Sequence, residues 1–345
     1  MDKVSLDVGE RILFFTVASH FLSNFLWLIG LGYYYWFVLL STASVVAVLA
    51  LDRILVNPKG KAVLISGCDT GFGNETSKVL HKKGYHVLAG VLFEDGPGAL
   101  QLKKLGIDVF HMDVTKDISM TYVEERLKAK STQLWAIITN AGLSTFGEVE
   151  WVPIDVHEKI FSVNVIGTVR LAKAALPLLR QCGGRVITVA SMLGRFGAPS
   201  RSPYSLSKWA VEGFSECLRL EMRRWGVKVI VIEPGNFVAA TALYEGDAIK
   251  RQSDYMWSNM SEQVQLDYGR DYFDRQIETM TFYSKHGNKD TGPVIGTMVD
   301  AVSHTFPQTR YQVMSLGEKV KCFVSTHLPS IVFFIYSWST PHICR

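Results

Sequence analysis

A short apolar segment that leads directly into a glycine-rich turn constrains the fold of this chain most. Residues 61–66 read Lys-Ala-Val-Leu-Ile-Ser, which is typical of a strand buried on both faces of a parallel sheet. Gly67, Gly71 and Gly73 follow, and a helix is predicted from Asn74 to Lys83. This order of strand, turn and helix predicts a Rossmann-type, doubly wound α/β sheet, which we expect to occupy residues 58–315 as one domain.

The same turn predicts a dinucleotide site. Glycines let a pyrophosphate approach the backbone amides at the start of the helix, where the helix dipole favours negative charge. The second predicted strand, residues 85–91, should end near an adenosine ribose. Neither the turn nor residues 91–93 contain Lys or Arg, whereas Asp69, Glu94 and Asp95 would repel an extra phosphate. The expected cofactor is therefore NAD, in preference to NADP.

The run from Ser191 to Lys208 carries the predicted chemistry. Pro203 suits the first turn of a helix, so Tyr204 and Lys208 are predicted one turn apart on one face. A Tyr and a Lys at this spacing are also typical of an ordinary solvated helix face. Beside the lysine, however, the pKa of the phenol is expected to fall towards the working range of a proton donor or acceptor. With the Ser191 hydroxyl holding a substrate oxygen, the expected reaction interconverts an alcohol and a ketone.

Motifs elsewhere in the chain favour the catalytic interpretation. The turn Ser66-Gly67-Cys68-Asp69-Thr70-Gly71-Phe72-Gly73, then Asn140-Ala141-Gly142, then Asn164, precede Tyr204 and Lys208 in the order and approximate spacing of the short-chain dehydrogenase/reductase family. The chain resembles this family over about residues 60–315. Residues 144–150, 191–195 and 233–237 most resemble the branch that contains 3-hydroxybutyrate, retinol and hydroxysteroid dehydrogenases.

The resemblance implies specific roles. Ser191 would orient the reacting oxygen, Tyr204 would exchange its proton, Lys208 would also hold the nicotinamide ribose, and Asn164 would support a relay water. Asp113 would contact the adenine, Asn140 would steady the sheet, and Thr241 would add a hydroxyl contact. The implied cofactor-binding residues are Gly67, Asp69, Gly71, Phe72, Gly73, Asp113, Asn140, Ala141, Gly142, Tyr204, Lys208, Pro234, Gly235 and Phe237.

An apolar segment precedes the predicted domain. The forty residues between Arg11 and Asp52 contain no Asp, Glu, Lys or Arg, enough for one membrane span or, divided at Gly30 and Gly32, for two. We expect a tail at residues 1–11 and a membrane segment at 12–52. Because Arg53, Lys59 and Lys61 follow it, the domain is expected on the cytosolic side of the endoplasmic reticulum, with a mitochondrial membrane as the alternative.

Composition excludes several other classes of protein. Lys and Arg total 36 against 32 Asp and Glu, and the small net charge of +4 argues against a nucleic-acid partner. The nine histidines and five cysteines show no metal-ligand spacing, so no metal is expected. An odd number of unpatterned cysteines, including Cys344, predicts reduced thiols. Family relatives are commonly homo-oligomers, and the same is expected here.

The remaining segments concern the substrate. Residues 243–290 are rich in aromatic side chains and are predicted to form a lid that also serves as a wall for an apolar substrate. Arg195, Arg201 and Lys250 could instead bind a small carboxylate, so a short hydroxy acid and a lipophilic alcohol both stay open. Residues 316–345 form an apolar tail, predicted to be a membrane-surface segment, an entrance flap or a buried helix. A membrane scaffold that binds a cofactor without turnover is the alternative outside enzymes.

Overall fold

The computed structural model describes residues 6–118, 120–241, 244 and 247–339. The chain forms two compact units. The smaller unit contains the residues up to 57 together with 300–308, and the larger contains 58–299 together with the residues from 309 onwards.

The larger unit is built on a seven-stranded sheet in which every paired strand is parallel. The strand order is β3-β2-β1-β4-β5-β6-β7, which confirms the predicted Rossmann-like α/β fold. The strands are β1 (Lys61–Ile65), β2 (His86–Val91), β3 (Asp108–His111), β4 (Gln133–Thr139), β5 (Arg185–Val189), β6 (Lys228–Pro234) and β7 (Arg310–Val313).

Helices connect these strands. They are α3 (Gly71–Lys82), α4 (Pro97–Lys104), α5 (Thr121–Ala129), α6 (Ile154–Phe161), α7 (Gly167–Cys182), α8 (Ser202–Met222), α9 (Ala248–Asn259), α10 (Glu262–Tyr268), α11 (Arg270–Lys285), α12 (Gly292–Ser303), α13 (Leu316–His327) and α14 (Ser330–Ser339). A π-helical turn, Ser162–Ile166, joins α6 to α7.

Two hydrophobic clusters organise the larger unit. One joins the sheet to α7 and α8 and includes Leu64, Leu134 and Leu171, each fully buried. The other packs the lid residues Tyr244, Ile249, Met256, Phe273 and Met280 against Trp151, which lies between β4 and α6. The lid therefore shares a small core with the segment that follows β4.

The smaller unit contains α1 (Leu6–Leu28) and α2 (Tyr33–Asp52), joined by a turn at residues 29–32. Gly30 has a φ of +87°, which L side chains rarely adopt, so the break between the helices suits glycine. His20 Nδ1 lies 2.6 Å from the Tyr33 hydroxyl and links the two helices. Residues 300–308 belong to this unit through contacts such as the Val56 amide donating to the Ser303 carbonyl at 2.7 Å.

Three helical segments are long and apolar enough to cross a membrane by length and composition: Arg11–Leu28, Tyr33–Asp52 and Ile154–Cys182. In the first two, most of the large apolar side chains are exposed, as Phe14, Phe21 and Tyr34 illustrate. The third contributes Leu171, Ala172 and Ala175 to the core against the sheet. The first two therefore pack against each other and still leave many large apolar side chains exposed.

Several boundaries differ from those predicted. Helix α1 begins at Leu6, inside the expected tail, while residues 1–5 lie outside the described residues. Strand β7 was not predicted from the sequence. Parts of two predicted segments also lie outside the described residues: Leu243, Glu245 and Gly246 of the lid, and residues 340–345 of the tail with Cys344. Cys68, Cys182, Cys217 and Cys322 form no disulfide within the described part of the chain.

Candidate active site

A cavity of about 1110 Å³ opens at the carboxyl ends of the central strands. In a parallel sheet this edge is where the loops of successive strands converge. The cavity is lined by the glycine turn after β1, by the loops after β4, β5 and β6, by the start of α8, and by lid residues that include Tyr244, Tyr255 and Tyr283.

The glycine turn is shaped by close backbone contacts. Gly67 has a φ of +68°, and a Cβ there would lie 2.8 Å from the Ala141 Cα. A Cβ at Gly73 would lie 2.5 Å from the Gly67 carbonyl oxygen and 2.7 Å from Asn140 Nδ2. Gly71 has open space where its Cβ would be, lines the cavity and begins α3. These features fit a cofactor pyrophosphate, which would lie over Gly71 at the positive end of the helix dipole.

Asn140 fastens the end of β4 to this turn. Its Nδ2 donates to the Ser66 carbonyl at 3.1 Å and to the Gly67 carbonyl at 3.0 Å, while its backbone amide donates to Ser66 Oγ at 3.1 Å. Its side chain is thus occupied in holding the turn, as expected for structural support.

Asp69 is hydrogen-bonded to the two residues that directly follow β2. Its carboxylate accepts hydrogen bonds from the backbone amides of Leu92 and Phe93, each at 3.0 Å to Oδ1. Asp113, which follows β3, accepts from the Thr115 hydroxyl at 2.7 Å and the Thr115 amide at 2.8 Å. These bonds lower the pKa of Asp113, and both carboxylates line the cavity.

Ser191, Tyr204 and Lys208 meet in the cavity. Ser191 lies just after β5, and its Oγ accepts from the Leu193 amide at 3.2 Å. Tyr204 and Lys208 lie one turn apart at the start of α8, with Lys208 Nζ 5.5 Å from the centre of the Tyr204 ring. Lys208 Nζ donates to the Val189 carbonyl at 2.9 Å. One helix and one strand end therefore fix all three side chains.

The pKa of Tyr204 differs from the value expected from the sequence. Burial raises the pKa of Tyr204 to about 12, although the Ser191 hydroxyl opposes the shift through a hydrogen bond. Burial also lowers the pKa of Lys208 to about 8, with Glu212 opposing. The predicted lowering of the tyrosine pKa by Lys208 is therefore wrong for this structure, because desolvation dominates and the ammonium group is bonded to a backbone carbonyl.

Asn164 lies beside this group without lining the cavity. It is in the π-helical turn, and its Oδ1 accepts from the Leu143 amide at 2.8 Å while its Nδ2 donates to the Ser207 hydroxyl at 2.9 Å. A Cβ at Gly142 would lie 3.4 Å from Asn164 Oδ1 and 3.9 Å from Lys208 Nζ. The π turn thus brings Asn164 and the lysine to the same glycine.

The loop after β6 is held by a residue that the sequence analysis missed. Gly235 donates to the Val313 carbonyl at 2.9 Å, and Glu318 accepts from the Asn236 amide at 3.0 Å. Glu318 also completes a capping box with Ser315 at the start of α13. The pattern Ser-x-x-Glu at residues 315–318 was the available signal.

A buried charge cluster lies behind the lysine. Arg310 of β7 is paired with Glu233 of β6 and with Glu212 and Glu216 of α8. Arg195 Nε lies 3.8 Å from Glu233 and does not line the cavity. Burial, and then repulsion by Glu233, raises the pKa of Glu212. The cluster joins β6, the edge strand β7 and helix α8, which carries Tyr204 and Lys208.

Most of the predicted site residues line the cavity. Gly73 and Asn164 are the two that do not, since they support its walls through backbone and side-chain contacts. Those in the lining are Gly67, Asp69, Gly71, Phe72, Asp113, Asn140, Ala141, Gly142, Ser191, Tyr204, Lys208, Pro234, Gly235, Phe237 and also Thr241.

These features are those of an oxidoreductase site, and the chain belongs to the short-chain dehydrogenase family, whose sequence profile matches residues 61–248. It is 42% identical over 282 residues to the mitochondrial D-beta-hydroxybutyrate dehydrogenase of Mus musculus, covering 79% of this chain and 82% of that protein. It is 34% identical to estradiol 17-beta-dehydrogenase 2 of Mus musculus over 85% of this chain and 80% of that protein. Retinol dehydrogenase 16 of Rattus norvegicus is 32% identical over 89% of this chain and 98% of that protein.

Solved structures share the fold. A short-chain dehydrogenase from Streptomyces avermitilis superimposes with a TM-score of 0.62 at 22% identity, covering 81% of this chain and 97% of that one. A family member from Burkholderia phymatum in complex with NAD gives a TM-score of 0.61 at 18% identity, covering 75% and 90%.

Proposed function

We propose that this protein is a membrane-anchored, NAD-dependent dehydrogenase that interconverts a secondary alcohol and a ketone, with D-3-hydroxybutyrate as the first substrate to test. The observation that carries the proposal is the meeting of Ser191, Tyr204 and Lys208 in the cavity that the glycine turn also lines. The 42% identity to D-beta-hydroxybutyrate dehydrogenase supports the choice of substrate.

Each residue has a chemical role in this proposal. Ser191 orients the substrate oxygen, and Tyr204 takes its proton during oxidation and returns it during reduction. Lys208 holds the ribose of the cofactor. Asn164 supports the part of the cavity wall at which a water molecule can relay the Tyr204 proton. The bound nicotinamide cofactor supplies the hydride acceptor or donor, while these residues supply geometry and electrostatics.

The lining of the cavity supports NAD over NADP. Asp69 is anchored at the end of β2, where the adenosine ribose is expected, and would repel a ribose phosphate. The lining cations are Lys159, Arg201 and Lys208, and none of them belongs to the loops after β1, β2 or β3.

The helices α1 and α2 support membrane anchoring by two spans. Their apolar side chains are largely exposed, which is costly in water but favourable in lipid. The basic residues Arg53, Lys59 and Lys61 favour a cytosolic catalytic unit on the endoplasmic reticulum. The similarity to a mitochondrial hydroxybutyrate dehydrogenase keeps a mitochondrial membrane as the alternative. A homo-oligomer is part of the proposal by family resemblance.

A lipophilic alcohol is the second candidate substrate. The cavity is lined in part by Tyr244, Tyr255, Met256 and Tyr283, which suit an apolar molecule, and two groups of relatives are named for estradiol and retinol.

Purified full-length protein in detergent tests these alternatives. NADH absorbance would be followed with D-3-hydroxybutyrate, retinol and estradiol in turn, and NAD uptake would be measured by calorimetry. Turnover of any of them supports the dehydrogenase, and NAD uptake without turnover supports the scaffold. Protease protection of microsomes would report the side on which the catalytic unit lies.

The variant Tyr204→Phe tests the assigned chemistry. Loss of the proton-transfer group should lower kcat by about 10²- to 10⁴-fold on the best substrate. NAD affinity, measured by calorimetry, should change far less, because the phenyl ring keeps its place. A variant with wild-type kcat would contradict the role given to Tyr204.

A further inference from the structure

One guanidinium group, that of Arg201, lies in the cavity wall next to the lid. Its Nη1 donates to the Tyr244 hydroxyl at 3.1 Å and its Nη2 lies 3.0 Å from Met280 Sδ. The guanidinium also lies over the Tyr283 ring, 4.9 Å from its centre. These contacts fix the group against the aromatic wall without neutralising it.

The charge of Arg201 has no carboxylate partner among the residues that the structure describes. An arginine has five N–H donors, and the described hydrogen bonds use two of them. The carboxylates in the described lining are Asp69 and Asp113, which follow β1 and β3 at the cofactor loops. A cation in a partly buried, aromatic pocket is most stable when an anion shares the pocket.

Arg201 is also close to the reacting groups. It is the N-cap residue of α8 and lies three residues before Tyr204, and both residues line the cavity. Its charge acts to lower the pKa of Tyr204, which indicates electrostatic contact between the two. The Tyr244 hydroxyl that Arg201 contacts lies 2.8 Å from Ser144 Oγ, which also lines the cavity. A small substrate could therefore place its carboxylate on Arg201 and its reacting oxygen on Tyr204 at the same time.

The other cations considered do not have this position. Arg195 lies against Glu233, and Lys250 is exposed and does not line the cavity. Lys159 lines the cavity but is exposed on α6. Arg201 therefore combines partial burial, lack of a described anionic partner and proximity to Tyr204.

We propose that Arg201 binds the carboxylate of the substrate and restricts this enzyme to short hydroxy acids and the corresponding keto acids. This inference rests on the proposed dehydrogenase function and deepens it. The aromatic wall then serves to hold the guanidinium and to cover the short alkyl part of the acid, and a long neutral alcohol would leave the charge unpaired.

The test compares an acid with its neutral amide. Full-length wild type and Arg201→Gln, both in detergent with saturating NAD, would be assayed on D-3-hydroxybutyrate and D-3-hydroxybutyramide. A charge-assisted hydrogen bond of ordinary strength corresponds to about a 10- to 150-fold change in kcat/KM. The variant should lose that factor in the ratio of kcat/KM for the acid to kcat/KM for the amide, mainly through a higher KM for the acid, because any effect on the Tyr204 pKa acts on both substrates alike. Lys250→Gln is the matched control and should keep the wild-type preference.

Two further variants separate charge from structure. Arg201→Lys keeps a cation without the planar fork and should retain a reduced preference for the acid. Tyr244→Phe removes the hydroxyl that Arg201 contacts and should change the acid and the amide by the same factor. NAD affinity by calorimetry reports whether each variant is folded. If Arg201→Gln fails to bind NAD, inhibition of the wild type and Arg201→Lys by butyrate and butyramide makes the same comparison.

The outcomes distinguish the two proposals. A wild type that binds NAD but oxidises no alcohol refutes the dehydrogenase function itself. A wild type that is active but whose Arg201→Gln variant loses acid and amide equally, or prefers the acid as before, refutes only the role of Arg201. Faster turnover of retinol or estradiol than of the acid, unchanged in the variant, likewise overturns the restriction to hydroxy acids and leaves the dehydrogenase function standing.

Discussion

The substitution Gly73→Ala provides a sharp test of how the glycine turn is built. The added Cβ would lie 2.5 Å from the Gly67 carbonyl oxygen and 2.7 Å from Asn140 Nδ2, both closer than real Cβ contacts. The carbonyl is backbone, and the amide is held by hydrogen bonds of 3.0 and 3.1 Å. Neither atom can withdraw without breaking the join between β1 and β4.

The expected cost follows from these contacts. Overpacking costs about 1–3 kcal/mol, and each of the two strained hydrogen bonds about 0.5–1.5 kcal/mol. Replacing Gly by Ala in a helix returns up to about 1 kcal/mol. The free energy of unfolding should therefore fall by about 1–6 kcal/mol, and the thermal midpoint by roughly 2–12 °C. Because the turn also borders the proposed pyrophosphate site, NAD affinity should fall as well.

The assay is thermal unfolding of the full chain in detergent, followed by tryptophan fluorescence, with calorimetry for NAD. Gly213→Ala in α8 is the matched control, since nothing lies within 4 Å of its Cβ and it should be neutral or slightly stabilising. A Gly73→Ala protein with an unchanged midpoint and unchanged NAD affinity would refute the close packing described here.

Two further predictions concern buried charge. Arg310→Met should lower the free energy of unfolding by about 3–5 kcal/mol, because it leaves Glu212 and Glu233 without their partner. Arg310 lowers the pKa of Glu212, so its loss raises that folded-state pKa further above the unfolded value. The variant then loses stability as pH rises through the folded-state pKa of Glu212. Its thermal midpoint should therefore lie closer to that of the wild type at pH 5 than at pH 8. The matched control is Arg270→Gln, which breaks the exposed Arg270–Asp274 pair. A stability loss in Arg310→Met that does not depend on pH, or that is no larger than the loss in the control, would contradict the buried-charge argument. Since the pKa of Tyr204 is raised, kcat/KM for alcohol oxidation, which needs the phenolate, should increase from pH 7 to pH 9, and ketone reduction should not. An oxidation profile that is flat or falls over this range would count against Tyr204 as the base.

The parts of the fold that depend on local pattern were predictable from the sequence. Strands such as β1 and β5 are short runs of β-branched and aliphatic residues, and the glycine turn follows β1 directly. By contrast, β7 is Arg-Tyr-Gln-Val, whose charged first residue gives no sign of a buried partner. Its pairing with β6 depends on Arg310 meeting Glu212 and Glu233, which are distant in sequence.

The same limit applies to the site. The spacing of Tyr204 and Lys208 predicted their shared helical face, but not that burial would outweigh the lysine in setting the tyrosine pKa. Nor did composition distinguish Arg201 from Arg195 as the cation in the cavity. That choice is made by Glu233, which lies beside Arg195, and by the lid tyrosines, which hold Arg201. Contacts between distant segments decided both points.

The separate hydrophobic cluster of the lid has an evolutionary consequence. Tyr204 and Lys208 are anchored through α8 to the sheet, whereas Trp151, Met256 and Phe273 pack chiefly with one another. A mutation at Met256 or Phe273 is therefore expected to alter contacts within this cluster first, and contacts of the sheet and α8 less. Divergence of substrate preference between relatives is accordingly expected to concentrate in the lid, while Tyr204 and Lys208 keep their anchoring.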